Sequence, residues 1–231
     1  MGWNILHSII DALVTLYTVI ICAAYFVLAI ISIVAIRSYM RRKKFVDYKQ
    51  ILASPFAPGI SLIAPAYNEG LTIISNVRSL LSITYNNFEV IIINDGSKDD
   101  TLQKLIPAFD LVLVKYDLQS VVATKPVRGI YKSRNRAFRK LVVVDKVNGG
   151  KADALNVGLN LSQKELVACI DVDCIIEPDA LLKMVKPFLD DTTVIASGGV
   201  VRIANSCVVK DGQLVEVKLP VNLLPRMQVL E

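Results

Sequence analysis

Histidine is nearly absent from the chain, and its scarcity removes several classes of enzyme. The only histidine among the 231 residues is His7, close to the N-terminus. No Ser-His-Asp triad, Cys-His pair or histidine cluster can therefore form in the part of the chain that follows. Any acid–base chemistry there has to use carboxylates, lysine, tyrosine or cysteine.

Cysteine is also sparse, and its spacing argues against a disulfide framework or a zinc site. The chain has four cysteines, Cys22, Cys169, Cys174 and Cys207, and no two of them form a CxxC pair. Cys22 lies in a long apolar segment. We expect the other three to be small core residues rather than metal ligands or disulfide partners.

The glycine-rich motifs of two common nucleotide-binding folds are missing. No GxGxxG follows the first predicted strand, which excludes a dinucleotide site of the Rossmann type. Gly150-Lys151 resembles the end of a P-loop, but Ala152 replaces the required Ser or Thr, and Asp145 stands where the first glycine should be. A P-loop is therefore excluded as well.

Charge is absent from residues 12–36, a run of 25 residues. At about 1.5 Å per residue, such a helix reaches about 37 Å and can cross a hydrocarbon core of about 30 Å. A signal peptide or a buried core helix fits less well, because no Lys or Arg precedes the run and it is too long for a signal sequence. We therefore predict a transmembrane helix.

Basic residues appear directly after this run, and they predict the orientation of the helix. None precedes residue 37, whereas five fall within residues 37–44. The positive-inside rule then places the N-terminus outside the cell membrane and the rest of the chain in the cytoplasm. Residues 1–45 are predicted to be the anchor with its basic flank, 46–59 a linker and 60–231 a separate domain.

After the linker, apolar strand-like and helical segments alternate, which predicts an α/β fold with a mostly parallel sheet. Strands are expected at residues 60–66, 88–93, 111–116, 141–144, 166–171 and 194–203. Helices are expected at 70–82, 101–106, from 151 and after Pro178. Asp211-Gly212 reads as a hairpin turn. Residues 117–140 are predicted to be irregular.

Polar residues follow four of these strands, where ligands bind in open α/β sheets. Tyr67 offers a face for stacking a base, and the carboxylates of Glu69 and Asp95 can accept hydrogen bonds from a base or ribose. Lys151 follows two glycines at a predicted helix start, an arrangement that suits a phosphate. Together these residues predict a nucleotide site.

Asp171 and Asp173 complete the pattern. Residues two apart in a strand point the same way, so these carboxylates are expected to face one spot and to hold Mg²⁺ or Mn²⁺. A nucleoside diphosphate with its metal fits the whole set. Asp-Val-Asp-Cys also resembles the nucleophile motif of haloacid-dehalogenase-type phosphatases, but that motif normally opens its domain. It remains a distant alternative.

Four ordered motifs resemble those of family 2 glycosyltransferases with the GT-A fold. They are "APAYNEG" at 64–70, "IIINDGSKDDT" at 91–101, "NGGKADALNVGL" at 148–159 and "ACIDVDC" at 168–174. The resemblance covers roughly residues 55–205. With a preceding membrane helix, the chain resembles the processive branch that includes cellulose, hyaluronan and poly-N-acetylglucosamine synthases.

The resemblance implies a function and a role for each candidate residue. The implied reaction is an inverting, metal-dependent transfer from a UDP-sugar donor to a growing polysaccharide. The aromatic and carboxylate residues Tyr67, Glu69 and Asp95 would contact the uridine, and Lys151 would lie near the diphosphate. The pair at 171 and 173 would be the DxD motif, with Asp173 the more direct metal ligand. Asn94 replaces an Asp that is common in the family.

The chain departs from the family pattern near its end, where no later acidic motif and no QxxRW motif is found. We therefore expect mainly the donor-binding half, an incomplete GT-A domain whose general base is not identified. A partner subunit or a missing C-terminal half would then supply the carbohydrate-acceptor site. Two alternatives stay open: a non-catalytic nucleotide-sugar-binding or scaffold protein, and a single-transfer enzyme with a lipid-phosphate acceptor. Nucleic acid is not an expected partner.

Seven Lys and Arg fall within residues 125–140, with no acidic residue among them. This basic segment faces either the membrane or an anionic ligand, or it is a solvated surface insertion. The sequence favours neither reading.

Overall fold

The computed structural model describes residues 2–44, 54, 56–116, 121–199, 207–210, 213–216 and 222. The chain divides into two compact units, Met1–Asp47 and Tyr48–Glu231. The first unit contains one helix, α1 (Gly2–Lys44). Its stretch His7–Ser38 contains an 18-residue window with a mean hydropathy of 3.0, and no residue of that window is buried. By length and composition, α1 is a candidate membrane span.

The second unit is built on a six-stranded sheet of mixed direction. Its strands, in chain order, are β1 (Ile60–Ala66), β2 (Phe88–Asp95), β3 (Leu111–Val114), β4 (Val127–Ser133), β5 (Leu141–Lys146) and β6 (Leu166–Cys169). Their spatial order is β3-β4-β5-β2-β1-β6. The pairs β1–β2, β1–β6 and β2–β5 are parallel, and β4 is antiparallel to both of its neighbours. The predicted mostly parallel α/β sheet is therefore confirmed.

Helices cover both faces of this sheet. They are α2 (Ile73–Leu81), α3 (Thr101–Ala108), α4 (Lys151–Leu161) and α5 (Ala180–Asp190), with a short 3-10 helix at Arg136–Phe138. Buried side chains of α2, α3 and α5 share one apolar core with one face of the strands. Those of α4 share a second core with the opposite face. Strands buried on both faces are continuous apolar runs, which is why β1, β2 and β5 were recognisable from the sequence.

The prediction that residues 117–140 are irregular is wrong for the strand β4. Ile130 is buried in the second core, Lys132 lies two residues further along the strand, and Arg128 stands at an irregularity in the pairing with β5 between Val127 and Gly129. The Arg128 head reaches Asp145 at 2.7 Å, and the Lys132 ammonium lies 5.2 Å from the centre of the Tyr116 ring. Long basic side chains can cover apolar surface with their stems while their heads reach polar groups. The basic residues of β4 therefore made this strand difficult to recognise from the sequence.

Most of the basic segment 125–140 has partners inside the domain. Beyond the two contacts just given, Arg134 pairs with Asp110 at 2.5 Å, and Lys125 Nζ donates to the Asn148 carbonyl at 2.9 Å. Lys140 lies 3.8 Å from the centre of the Phe88 ring, and its burial lowers the pKa of its ammonium. These contacts favour the reading of the segment as part of the domain surface.

Four smaller predictions differ from the structure or fall outside it. The strand predicted at 166–171 ends at Cys169, and residues 194–199 are not a strand. Cys169 and Cys174 are exposed, so the expectation that they are core residues is wrong; Cys207 is half-buried. The turn at 211–212 lies outside the described residues, while β7 (Val208–Lys210) and β8 (Gln213–Glu216) pair antiparallel on either side of it.

Candidate functional site

An open cavity of about 260 Å³ lies at the carboxyl edge of the sheet. The ends of β1 and β2, the start of α4 and the turn after β6 all border it, because the parallel strands β1, β2 and β6 end on the same side. The structure brings all six candidate residues together here. The cavity is lined by Pro65, Ala66, Tyr67, Glu69, Asp95, Lys151, Asp171, Val172 and Asp173.

A turn, rather than a strand, brings the two DxD carboxylates together. β6 ends at Cys169, and the Cys174 amide donates to the Asp171 carbonyl at 3.1 Å. The side-chain ligand atoms of Asp171, Asp173 and Cys174 lie within 4.8 Å of one another, and all three residues are exposed. The strand-face argument from the sequence was therefore wrong, although the convergence that it predicted is present.

The chemistry of this cluster suits a hard divalent cation. Two carboxylates supply the oxygen ligands that Mg²⁺ and Mn²⁺ prefer. Partial desolvation raises the pKa of the Cys174 thiol, although the residue as a whole is exposed, and the charges of Asp173 and Asp171 add to the shift. The thiol is therefore neutral at physiological pH, and the negative charge of the cluster comes from the carboxylates. Sequence reasoning had not placed Cys174 beside them.

Lys151 places a positive charge next to these carboxylates. It is the first residue of α4, and Gly150 precedes it with a φ of 86°, a conformation that favours glycine. Its ammonium pairs with Asp171; this hydrogen bond, reinforced by the charge of the carboxylate, raises the pKa of Lys151. The cavity thus combines a helix N-terminus, a lysine and two carboxylates within one small region.

The loop after β1 presents Tyr67 and Glu69 at the other side of the cavity. Tyr67 is 45% exposed, so its ring is available to a ligand. Asn68, with a φ of 57°, accepts a hydrogen bond from the Lys98 amide at 2.8 Å, and its own amide donates to Ser97 Oγ at 3.0 Å. The Glu69 amide donates to Thr101 Oγ1 at 3.0 Å. These bonds hold the loop against the segment that follows β2.

Asp95 lines the cavity but is only 3% exposed, and internal partners occupy much of its carboxylate. Its Oδ1 accepts hydrogen bonds from Lys146 Nζ at 2.7 Å and from the Gly149 amide at 2.9 Å. Its Oδ2 accepts a bond from the Gly150 amide at 2.8 Å. Asp95 therefore holds the turn before α4 in addition to bordering the cavity.

Sequence reasoning missed the buried ion cluster behind Asp95. Lys146, at the end of β5, is fully buried, and its ammonium also contacts Asp153 Oδ2 at 2.6 Å. The hydrogen bond from Lys146 is the main cause of the lowered pKa of Asp153. The available signal was a lysine two residues after the apolar run Leu141–Val144, which is buried on both faces.

A second buried polar pair lies beneath the site. Asn94 and Asp145 face each other in the β2–β5 register, and Asn94 Nδ2 donates to Asp145 Oδ1 at 2.8 Å. Arg128 approaches the same oxygen at 2.7 Å. The amide at position 94 is therefore matched to a carboxylate on the neighbouring strand.

The family model for glycosyl transferase family 2 matches residues 61–141 and 139–213. The chain belongs to this family. The poly-beta-1,6-N-acetyl-D-glucosamine synthase of Staphylococcus epidermidis RP62A is 32% identical over 173 residues, which are 74% of this chain and 36% of that protein. The same synthase of Staphylococcus aureus COL is 30% identical over 174 residues, again 74% and 36%. The chain spans about a third of the length of these curated relatives.

Two solved structures are similar to the chain over a smaller part. Residues 1–349 of Staphylococcus aureus TarS match at 26% identity with a TM-score of 0.40, over 57% of this chain and 32% of TarS. The mannosyltransferase PcManGT of Pyrobaculum calidifontis, in complex with GDP-Man and Mn²⁺, matches at 24% identity with a TM-score of 0.44, over 64% and 39%.

The comparisons confirm the resemblance that four short motifs predicted. The family assignment holds, and curated relatives include polysaccharide synthases. The roles of the six candidate residues stay a prediction.

Proposed function

We propose that the chain binds a UDP-sugar in the cavity at the carboxyl edge of its sheet. It would be the donor-binding part of a membrane-bound, inverting, metal-dependent glycosyltransferase that extends a polysaccharide. One observation carries the proposal: residues from four separate motifs line a single cavity that offers an aromatic face, a cation and paired carboxylates. A nucleoside diphosphate needs these three features.

Each candidate residue has a part in this proposal. The Tyr67 ring would stack on the base, and the carboxylates of Glu69 and Asp95 would accept hydrogen bonds from the nucleoside. Lys151 and the amides at the start of α4 would bind the diphosphate. Asp171 and Asp173 would hold Mg²⁺ or Mn²⁺, which neutralises the charge that develops on the leaving diphosphate.

The acceptor side is not assigned to residues of this chain. An inverting transfer needs a base within hydrogen-bond reach of the acceptor hydroxyl. Each carboxylate that lines the cavity already has a part in donor or metal binding. The described residues therefore support the proposal for donor binding. The carbohydrate acceptor, and the base that would take its proton, are proposed for the whole enzyme and not for named residues of this chain.

Titration of the full-length chain in lipid nanodiscs tests donor binding. We expect UDP to bind in the presence of Mn²⁺ or Mg²⁺ and to bind much more weakly in EDTA, because the diphosphate and the carboxylates repel each other without the cation. GDP and ADP, titrated under the same conditions, report on selection of the base. Equal UDP affinity with and without metal would contradict the proposal, and binding without sugar transfer would favour a non-catalytic nucleotide-sugar-binding role.

We also propose that α1 spans the cell membrane with its N-terminus outside. The basic residues that follow the apolar stretch favour this orientation. An epitope tag at residue 2 should be labelled from outside intact cells, and a tag after residue 231 should be labelled only after permeabilisation. The opposite labelling pattern would reverse the orientation, and two tags found on the same side would show that α1 does not span the membrane.

A further inference from the structure

The ammonium of Lys146 is the most buried charge close to the cavity. Its side chain is completely excluded from solvent. It contacts Asp95 Oδ1 at 2.7 Å, Asp153 Oδ2 at 2.6 Å and the Val147 carbonyl at 2.6 Å. The contacts with Asp95 and Val147 are hydrogen bonds, and the contact with Asp153 is an ion pair, so the partners of this ammonium all lie inside the protein. A charge buried in this way is tolerated only because it is paired.

The partners of Lys146 fix the turn that leads to Lys151. Asp95 accepts bonds from the amides of Gly149 and Gly150, at 2.9 and 2.8 Å, and its carbonyl accepts a bond from Asn148 Nδ2 at 2.8 Å. Lys151 follows directly. Its position in the cavity is therefore set by contacts between the end of β2 and the turn after β5.

The fit between these two turns is tight. Gly96 has a φ of 68°, and a Cβ there would lie 2.7 Å from the Asn148 amide nitrogen. The turn after β2 and the turn after β5 consequently touch through backbone atoms. A small displacement of the start of α4 cannot be absorbed by a flexible side chain at this contact.

The charges of the cluster explain why a lysine is needed here. Asp95 and Asp153 both contact the same ammonium, from β2 and from the first turn of α4. Two carboxylates so close together repel each other when no cation lies between them. The other groups facing Asp153 are the Lys125 amide, which donates to its Oδ1 at 3.0 Å, and the exposed Lys125 side chain, whose Nζ binds the Asn148 carbonyl.

We propose that Lys146 is a positioning residue for the diphosphate end of the site: it neutralises Asp95 and Asp153 and so holds the start of α4, with Lys151, against the end of β2. This inference rests on the proposed function. Lys146 is too deeply buried to touch a ligand, and it acts through the turn. Its loss should weaken the contact to the β-phosphate more than the contacts to the nucleoside.

The test is a double-mutant cycle on the full-length chain in nanodiscs with Mn²⁺. Dissociation constants for UMP and UDP are measured, and their ratio reports the gain from the β-phosphate, since contacts to the nucleoside are common to both. Lys146→Met should lower this ratio about tenfold, equivalent to about 1.4 kcal/mol. Asp153→Asn should leave it near the wild-type value. The double variant should have a ratio close to that of wild type. The repulsion between the side chains at 95 and 153 is then gone, and the amides of Gly149 and Gly150 still bind the Asp95 carboxylate.

Val143→Ala is the matched control, because Val143 is a fully buried residue of the same strand that packs in the first core, on the face of the sheet opposite α4. It lowers stability by leaving a cavity in the core. An equal fall of the ratio in this control would show that the ratio follows stability, and it would overturn the inference. An unchanged ratio in Lys146→Met, or a double variant that is not rescued, would overturn it too.

If Lys146→Met alone does not fold, the double variant decides: a ratio near wild type supports the inference, and a reduced ratio overturns it. If the wild-type chain did not bind UDP, the proposed function and the inference would both be wrong. The two failures are therefore distinguishable.

Discussion

Asp173→Asn should remove most of the metal-dependent affinity for UDP. The Asp173 carboxylate lies in the exposed cluster with Asp171, and a neutral amide is a much poorer ligand for a hard divalent cation. Loss of an outer-shell partner alone typically weakens metal binding by about 10- to 100-fold, so loss of a direct ligand should cost at least about 100-fold. Direct titration with Mn²⁺, followed by UDP titration at fixed Mn²⁺, measures both effects.

The residual affinity in EDTA should be no lower for Asp173→Asn than for wild type, because the nucleoside contacts do not involve this residue and the variant removes one carboxylate that repels the diphosphate. Asp190→Asn is the matched control: Asp190 is also an exposed aspartate, but it lies at the end of α5 and pairs with Lys186. It should leave the metal dependence unchanged. If Asp173→Asn kept the full gain in UDP affinity from Mn²⁺, the metal would bind at other residues and the prediction would be wrong.

The central strands could be predicted closely because burial on both faces leaves a simple signature. β1 has the bounds expected from its apolar run, and β2 and β5 begin at the expected residues and continue slightly further. Parallel strands covered by helices on both sides need apolar residues at every position, so their runs are easy to recognise. Their extra length lies in polar residues at the carboxyl ends, Asn94-Asp95 and Asp145-Lys146.

The strand β4 could not be predicted because its charges are paired in three dimensions. Arg128 forms an ion pair with Asp145 on the neighbouring strand, and the Lys132 ammonium lies near the ring of Tyr116. Neither partner is adjacent in sequence. A basic run is usually a solvated surface, and only tertiary contacts distinguish the two cases.

The candidate site was predictable in its residues but not in its internal support. Topology collects side chains at the carboxyl edge of parallel strands, and the motifs therefore indicated which residues meet. The ion cluster of Lys146, Asp95 and Asp153 joins two strand ends and a helix, and no spacing rule predicts it. Asp171 and Asp173 lie in a tight turn, whereas the sequence had predicted that they lie on one face of a strand.

Asn94→Asp should destabilise the domain strongly, although the family resemblance implies an Asp at this position. Asn94 is 2% exposed and donates from Nδ2 to Asp145 Oδ1 at 2.8 Å. An ionised carboxyl at position 94 would face Asp145 across the β2–β5 pair, and Arg128, about half exposed, would have to compensate both charges. We expect a loss of about 3 kcal/mol at pH 7, the scale for a buried charge without compensation. Scanning calorimetry should show a melting temperature lower by about 6–12 °C.

The pH dependence separates charge repulsion from a packing defect in Asn94→Asp. The new carboxyl is neutral when protonated and can then donate a hydrogen bond to Asp145, so its pKa in the folded state lies above its unfolded value. Its folded form binds the proton more tightly, and stability therefore falls as pH rises through the interval between the two pKa values. The deficit in stability relative to wild type should be small near pH 4 and complete at neutral pH.

Asn135→Asp is the control. Asn135 is exposed and accepts a hydrogen bond from the Ala137 amide at 2.9 Å, a cap that aspartate also provides. A deficit in Asn94→Asp that does not change with pH would show that shape, rather than charge, requires the amide opposite Asp145.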